Sequence, residues 1–303
     1  MSFENIVGNN KIKRELQEMV KNSSTSHSYL FSGEEGIGKK LFAKEFARML
    51  LCLKNNKACG ECSSCVKFDS ENNPDFSIIE PEGNSIKIAQ IRELQENVYI
   101  KPIVSSKKVF IINDSDKMTE EAQNSLLKTL EEPPEYIIII LVASNENKLL
   151  NTIKSRCLKI GFNNIDKKDI IQYIAKEQII TNPSDELLLM CNGSIGKLIK
   201  IKENLEEYNE IEKNTKDFIE CNFCTIVDLL KKFDILYKSK EIIIDLMDYM
   251  IVIMYEYVLK NKQAGHLLLL ISDIENTKRK LISNTNYDMC IDELLLKMCE
   301  KKS

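Results

Sequence analysis

His27-Ser28-Tyr29-Leu30-Phe31-Ser32, followed directly by Gly33-Glu34-Glu35-Gly36-Ile37-Gly38-Lys39-Lys40, is the stretch that decides how this chain folds. The first six residues are a compact run of strand length, and the next eight fit the pattern G-x4-G-K. Leu41, Phe42, Phe46, Met49 and Leu50 then recur at helical spacing. Strand, glycine-rich turn and helix in that order make a phosphate loop. Its backbone N–H groups cradle phosphates, its lysine reaches the β and γ oxygens, and a Ser or Thr hydroxyl holds Mg²⁺. Gly33, Gly36, Gly38 and Lys39 fill the cradle positions, but the hydroxyl position is Lys40. An ammonium has no lone pair to offer a metal ion, and its charge repels one.

Outward from this loop, Ser77-Ile78-Ile79-Glu80, Val109 to Ile112 and Ile137 to Val142 are further short apolar runs bounded by polar or turn residues. Helical patterns such as Ile88 to Tyr99 and Glu120 to Leu130 lie between them. Strands alternating with helices predict an α/β domain with a parallel sheet covered on both faces. In such a domain the apolar run Val109-Phe110-Ile111-Ile112 leads into an acidic pair, the first holding Mg²⁺ and the second orienting water. Here the pair reads Asn113-Asp114. Both positions that should handle the same metal ion have therefore lost their ligand chemistry, and Mg²⁺-ATP is not expected as a cofactor of this pocket. Docking of nucleotide through Lys39 and the glycines, without hydrolysis, stays open.

Cys52, Cys59, Cys62 and Cys65 follow at the spacing C-x6-C-x2-C-x2-C. Four thiolates close a tetrahedral shell with no open position, the mark of a structural Zn²⁺ site, and all-sulfur ligation disfavours magnesium or manganese. The small neighbours Ala58, Gly60, Ser63 and Ser64 suit a backbone wrapped tightly round a metal. The first ligand is expected at the end of the helix that follows the phosphate loop. Cys221 and Cys224 form another C-x2-C, but they lack a second pair and sit in a helical pattern, so they are read as ordinary thiols.

The rest of the 303 residues bounds the answer. An apolar fraction of 43% and a charged fraction of 29% are ordinary for a soluble globular protein. A net charge of -4 argues against a stand-alone nucleic-acid binder, which needs clustered Lys and Arg. The longest apolar region, near 241–259, is interrupted by Asp245, Asp248 and Glu256. Each charge costs roughly 2.5–3.5 kcal/mol at mid-membrane, so a buried helix is expected and no membrane partner. With no signal-peptide pattern at the start, a cytoplasmic, reducing location follows, where ten cysteines are thiols or metal ligands. From Ile165 onward only amphipathic helices are predicted, with a turn at Asn192-Gly193-Ser194. The expected division is 1–163 as the α/β base with the four-cysteine insertion at 52–65, 164–204 as a small helical lid, and 205–303 as a larger helical domain.

Several motifs together carry a resemblance. Phe3-Glu4-Asn5-Ile6-Val7-Gly8, the phosphate loop, the four cysteines and Asp116-Lys117-Met118 come first. Asn124-Ser125-Leu126-Leu127-Lys128-Thr129-Leu130-Glu131-Glu132-Pro133-Pro134, Ser155-Arg156-Cys157 and Gly193-Ser194-Ile195-Gly196-Lys197 follow. Across about two thirds of its length the chain resembles the bacterial DNA polymerase III clamp-loader family, of AAA+ type, and within it the delta-prime branch. The resemblance implies an AAA+ base, a small helical lid and an all-α C-terminal collar. It implies a five-membered ring with clamp-loader ATPase subunits and a delta subunit, which opens the sliding clamp and places it on primer-template DNA. It also implies that Arg156 is an arginine finger acting in trans on a neighbour's ATP, a role that suits a planar, permanently charged guanidinium. Lys197 stands where hydrolysing relatives carry an Arg, and Ser144 and Asn145 occupy the first sensor region without an assigned catalytic role.

Two other readings compete. An active AAA+ motor subunit of the same loader would need Thr or Ser at position 40 and Asp at position 113. A zinc-dependent nucleic-acid-binding module would need a basic surface, which the acidic balance opposes.

Overall fold

In a computed structural model of the chain, residues 3–301 are described apart from 5, 55–57, 221–224, 262–263 and 284. Cys221 and Cys224 lie outside the described residues. The chain divides into two compact units, residues 1–173 with 193–196, and residues 174–192 with 197–303.

The first unit is built on one parallel sheet. Its elements in chain order are α1 (Asn10–Lys21), β1 (Ser28–Ser32), α2 (Lys39–Leu51), α3 (Ser63–Asp69), β2 (Phe76–Ile79) and α4 (Ile88–Val98). Then come β3 (Lys108–Ile112), α5 (Glu120–Glu131), β4 (Ile137–Ala143), α6 (Asn151–Lys154) and β5 (Leu158–Gly161), with α7 (Lys167–Glu177) running into the second unit. The strands lie in the order β2-β3-β4-β1-β5, and every pairing is parallel. The three middle strands β1, β3 and β4 are buried along their whole length, as a sheet covered on both faces requires.

Side-chain alternation splits the core in two. Tyr29, Phe31, Ile111 and Ile140 face Leu16, Phe42 and Phe46 of α1 and α2. Leu30, Ile112, Ile139 and Leu141 face Ile91, Leu94 and Leu126 of α4 and α5. Each such side chain contributes about 1.5–3 kcal/mol on burial. The helices at Ile88–Val98 and Glu120–Glu131 stand where their periodicity predicts them. β5 had no such signal: it is a four-residue edge strand in which only Ile160 is buried, too short and too exposed for an alternation to register.

The second unit is helical, with α8 (Asp185–Cys191), α9 (Ile195–Glu203, entering from the first unit), α10 (Leu205–Glu220), α11 (Ile226–Lys232) and α12 (Ile235–Lys238). α13 (Ile243–Lys260), α14 (His266–Ile282) and α15 (Tyr287–Glu300) complete it. Among the described residues no strand follows β5. Leu246, Met247, Met250 and Met254 form the buried stripe of α13, the long apolar segment of the sequence. Its Asp248 is paired with Lys278 of α14, so the interrupting charge is compensated. No helix among the described residues is long and apolar enough to cross a membrane.

Candidate functional site

The phosphate loop connects β1 to α2 at the carboxyl end of the sheet. Gly33 leaves β1 at φ +154°, and Gly38 forms the N-cap of α2. A Cβ on Gly33 would lie 2.7 Å from the Phe162 carbonyl oxygen and 2.8 Å from Ile37, so only glycine fits there. Lys39 is buried, and its Nζ donates to the carbonyls of Gly33 at 2.7 Å and Glu34 at 2.5 Å, and to Ser144 Oγ at 3.2 Å. Burial lowers the pKa of this ammonium, against the opposing pull of Asp116, Asp114, Glu35 and Glu34. Ser144 is fixed in turn by its backbone N–H on Asp116 Oδ1 at 3.0 Å, whereas Asn145 spends its side chain capping the turn at Asn147.

Residues 193–196 also belong to this unit. Ser194 Oγ donates to the Glu35 carbonyl at 3.0 Å, and the Gly196 N–H donates to the Gly36 carbonyl at 2.9 Å. A Cβ on Gly196 would stand 2.7 Å from Gly36 Cα, so the two backbones meet this closely only because Gly196 lacks a side chain. Lys197, the next residue, belongs to the second unit.

Lys40 and Asn113, the two residues in the metal-handling positions, converge on one atom. Lys40 Nζ sits 2.7 Å from Glu80 Oε1, and Asn113 Nδ2 donates to the same oxygen at 3.2 Å. The Lys40 hydrogen bond is the largest influence holding the Glu80 carboxyl below the usual carboxylate range. Asp114, beside Asn113, adopts φ +50° and accepts from Lys117 at 3.1 Å. A hydroxyl, an aspartate and a free neighbouring carboxylate would suit a divalent cation, but an ammonium already neutralising that carboxylate does not. These residues do not fit Mg²⁺.

The four cysteines do come together. Their sulfur atoms all lie within 4.8 Å of one another, with Cys59 and Cys65 at 4.0 Å. Around a zinc ion with Zn–S of about 2.3 Å, tetrahedral sulfurs would stand ~3.8 Å apart. Cys52 follows the last turn of α2, Cys59 and Cys62 flank a knuckle in which Gly60 has φ +77°, and Cys65 lies in α3. Backbone N–H groups point at the sulfurs, from Cys59 to Cys52, Cys62 to Cys59 and Cys65 to Cys62, at 3.4–3.5 Å. Burial opposes ionisation of Cys62, but hydrogen bonds from the N–H groups of Cys65 and Leu53 and with the Cys65 and Cys59 side chains together bring the thiol to about 6. Burial pushes the Cys65 thiol up instead, with Cys62 and Cys52 adding to the effect. Four thiols this close cannot all ionise without a cation among them, and the cluster can hold a metal ion.

Side-chain hydrogen bonds tie α3, next to the knuckle, to the end of α2 and to the segments leading into β2 and β3. Ser64 Oγ lies 2.9 Å from Ser105 Oγ, which donates to the Leu51 carbonyl at 2.9 Å, and Asn73 Nδ2 donates to Ser64 O and Oγ at 3.0 Å. Asp75, fully buried just before β2, accepts backbone N–H groups from Ile103, Val104 and Ser105 at 2.7, 2.8 and 2.7 Å.

Arg156 stands just before β5, where its own carbonyl accepts from Ser28 Oγ at 2.6 Å. Its Nη2 lies 2.6 Å from Glu131 Oε1, and its Nη1 donates to the Thr152 carbonyl at 2.8 Å. The side chain is 34% exposed. Sequence reading missed the roles of Glu80, Glu131 and Asp75. For Glu80 one signal was available, a carboxylate at the end of an apolar strand in a sheet whose ligands gather at strand ends.

A phosphate loop after β1 of a β2-β3-β4-β1-β5 parallel sheet, followed by a helical region, makes this an AAA+-type P-loop protein. The sequence model of the family described as "DNA polymerase III, delta subunit" matches residues 8–166, just over half the chain, and the chain belongs to that family. It is delta-prime-like: DNA polymerase III subunit delta' of Bacillus subtilis is 34% identical over 197 residues, 65% of this chain and 60% of that protein. DNA polymerase III subunit tau/gamma of Haemophilus influenzae is 38% identical over 176 residues, 57% of this chain and 25% of that one. The matches thus span less than two thirds of these relatives' own length. A solved DNA polymerase III gamma-subunit-related protein of Thermotoga maritima aligns with a TM-score of 0.49 at 19% identity, covering 95% of this chain and 99% of that one.

Proposed function

We propose that the chain is a non-hydrolysing clamp-loader subunit of the DNA polymerase III holoenzyme. In this reading it joins ATPase subunits and a delta subunit in a five-membered ring, in the cytoplasm, and helps them load the sliding clamp on primed DNA. Residues 164–204 serve as its lid and 205–303 as its collar. The observation that carries the reading is the convergence of Lys40 and Asn113 on Glu80. A positive charge built into the protein stands at the hydroxyl position of the phosphate loop and is already paired with Glu80, so a divalent ion there meets repulsion from Lys40 and lacks the hydroxyl and aspartate oxygens that would hold it.

The chain's contribution to hydrolysis is then Arg156, offered to a neighbour's ATP. A guanidinium supplied in trans stabilises charge on the transferring phosphoryl group and is worth about 10³–10⁵ in rate in P-loop enzymes. The cysteine cluster holds a structural Zn²⁺, which supplies a closed, non-catalytic crosslink between the end of α2 and the start of α3. The likeness to subunits called delta' and the clustering of four sulfurs, three of them from buried cysteines, support these assignments.

The test is reconstitution. The purified chain alone should show negligible ATPase activity. The complex with a clamp-loader ATPase subunit, clamp and primed DNA should turn over, and Arg156→Ala should lower that rate by roughly 10³ or more. Turnover by the isolated chain that disappears with Lys39→Ala would refute the non-hydrolysing role. An unchanged rate in Arg156→Ala would remove the finger.

A further inference from the structure

Arg156 is not free in the subunit. Glu131 Oε1 takes Nη2 at 2.6 Å while the Thr152 carbonyl takes Nη1 at 2.8 Å. These are the two terminal nitrogens whose fork grips a phosphate at two points. Each of these nitrogens keeps a second N–H, but with Glu131 holding one side and Thr152 the other the guanidinium cannot turn its full fork onto a phosphate, so the two arrangements compete.

Glu131 is an odd choice for its position on grounds of helix stability. It is the last residue of α5, with Glu132 as the C-cap, so two carboxylates sit at the end where the helix dipole disfavours negative charge. Lys128 is the only base in the last turn, and Arg156 is the cation that meets Glu131. Both partners are half-exposed, 34% for Arg156 and 47% for Glu131, so the contact is weak enough to exchange for a phosphate.

We propose that Glu131 is a positioning residue that parks Arg156 on its own subunit until the phosphates of a neighbour's nucleotide take the guanidinium over. The inference rests on the finger reading above and adds a residue that acts through Arg156. A parked group lowers the apparent efficiency of the step it serves by the fraction of time it is unavailable. The chain thereby withholds its charge from solvent anions before assembly, at a modest cost in efficiency afterwards.

The experiment is a double-mutant cycle in the reconstituted complex, with ATP as the probe and kcat/KM as the readout. Glu131→Gln keeps the side chain's shape and removes its charge. It should raise kcat/KM for ATP by roughly two- to five-fold, the range set by a partly exposed ion pair. In an Arg156→Ala background the same substitution should change nothing, because there is no longer a group to release. The thermal stability of the free subunit should hold or rise slightly, since an anion leaves the wrong end of α5. A merely structural tie predicts the opposite pattern, with lower stability and an unchanged kcat/KM. If Arg156→Ala slows the complex while Glu131→Gln is silent or harmful, parking is wrong and the finger stands. If Arg156→Ala leaves the rate intact, finger and parking fall together. A gain that persists in the Arg156→Ala background also overturns the proposal.

Discussion

Asp75→Asn is a one-atom change whose effect can be worked out from three distances. The native carboxylate gives Oδ1 to the Ile103 N–H and Oδ2 to those of Val104 and Ser105, at 2.7–2.8 Å. Hydrogen bonds to a charged acceptor contribute about 1.5–3 kcal/mol each, and neutral ones about 0.5–1.5. The asparagine amide has one oxygen, which best serves Val104 and Ser105 together. Its NH₂ then faces the Ile103 N–H, donor against donor. Two bonds lose about 1 kcal/mol each, and the third becomes an unmet donor at a further ~1–3 kcal/mol. Because the 103–105 segment is itself partly exposed, water recovers some of this, leaving a loss of roughly 2–4 kcal/mol. For a folding unit of this size each kcal/mol moves the melting temperature about 2–4 °C, so a fall of roughly 5–15 °C is expected. The assay is thermal unfolding by circular dichroism, paired with hydrogen exchange read at the amides of residues 103–105. The melting shift reports the whole unit, and the exchange locates the loss. A shift below about 2 °C, with those amides still protected as in the parent, would refute the reasoning.

Three further outcomes follow from the same geometry. Lys40→Thr with Asn113→Asp restores oxygen ligands and frees Glu80, so nucleotide binding should become stronger with Mg²⁺ than with chelator; calorimetry showing no magnesium dependence would count against the metal-handling argument. Metal removal should uncover a thiolate absorbance step near pH 6, from Cys62, that the metal-loaded protein lacks, and should speed amide exchange at Ser105, which leans on Ser64 beside the knuckle; elemental analysis finding no zinc in folded, untreated protein would remove the zinc assignment. Gly196→Ala should cost about 1–3 kcal/mol, since its methyl would stand 2.7 Å from Gly36 Cα and neither backbone can yield cheaply; a melting curve unchanged from the parent would show that the segment can step back from the phosphate loop.

What the sequence disclosed and what it hid divide by distance along the chain. The phosphate loop is eight consecutive residues and the cysteine set spans fourteen positions, so spacing alone carries their geometry. The buried strands β1, β3 and β4 announce themselves as apolar runs because both their faces need covering. Edge strand β5 shows half of that pattern over four residues and does not. Glu80 meets Lys40 across forty residues and Glu131 meets Arg156 across twenty-five, contacts decided by which strands and helices lie side by side. Glu80's place at the end of an apolar strand marks it as near a site without naming its partner, and nothing nearby in the sequence pairs Glu131 with Arg156. Asp75 is hidden for a different reason: its partners are backbone N–H groups, which every residue supplies.

The return of residues 193–196 to the first unit has a consequence for how the chain can be taken apart. The polypeptide passes between the two units three times, after positions 173, 192 and 196. A single cut after 173 therefore does not release a finished α/β unit. It strips away the Gly196 N–H that serves the Gly36 carbonyl, the Ser194 hydroxyl on Glu35, and the Gly193 carbonyl that receives the Ile165 N–H. The loop that should cradle phosphates would be left with its flank open to water, and an expressed fragment would report on a different object from the intact chain. The two units are stitched together by the chain itself, and they should be purified, unfolded and mutated as one.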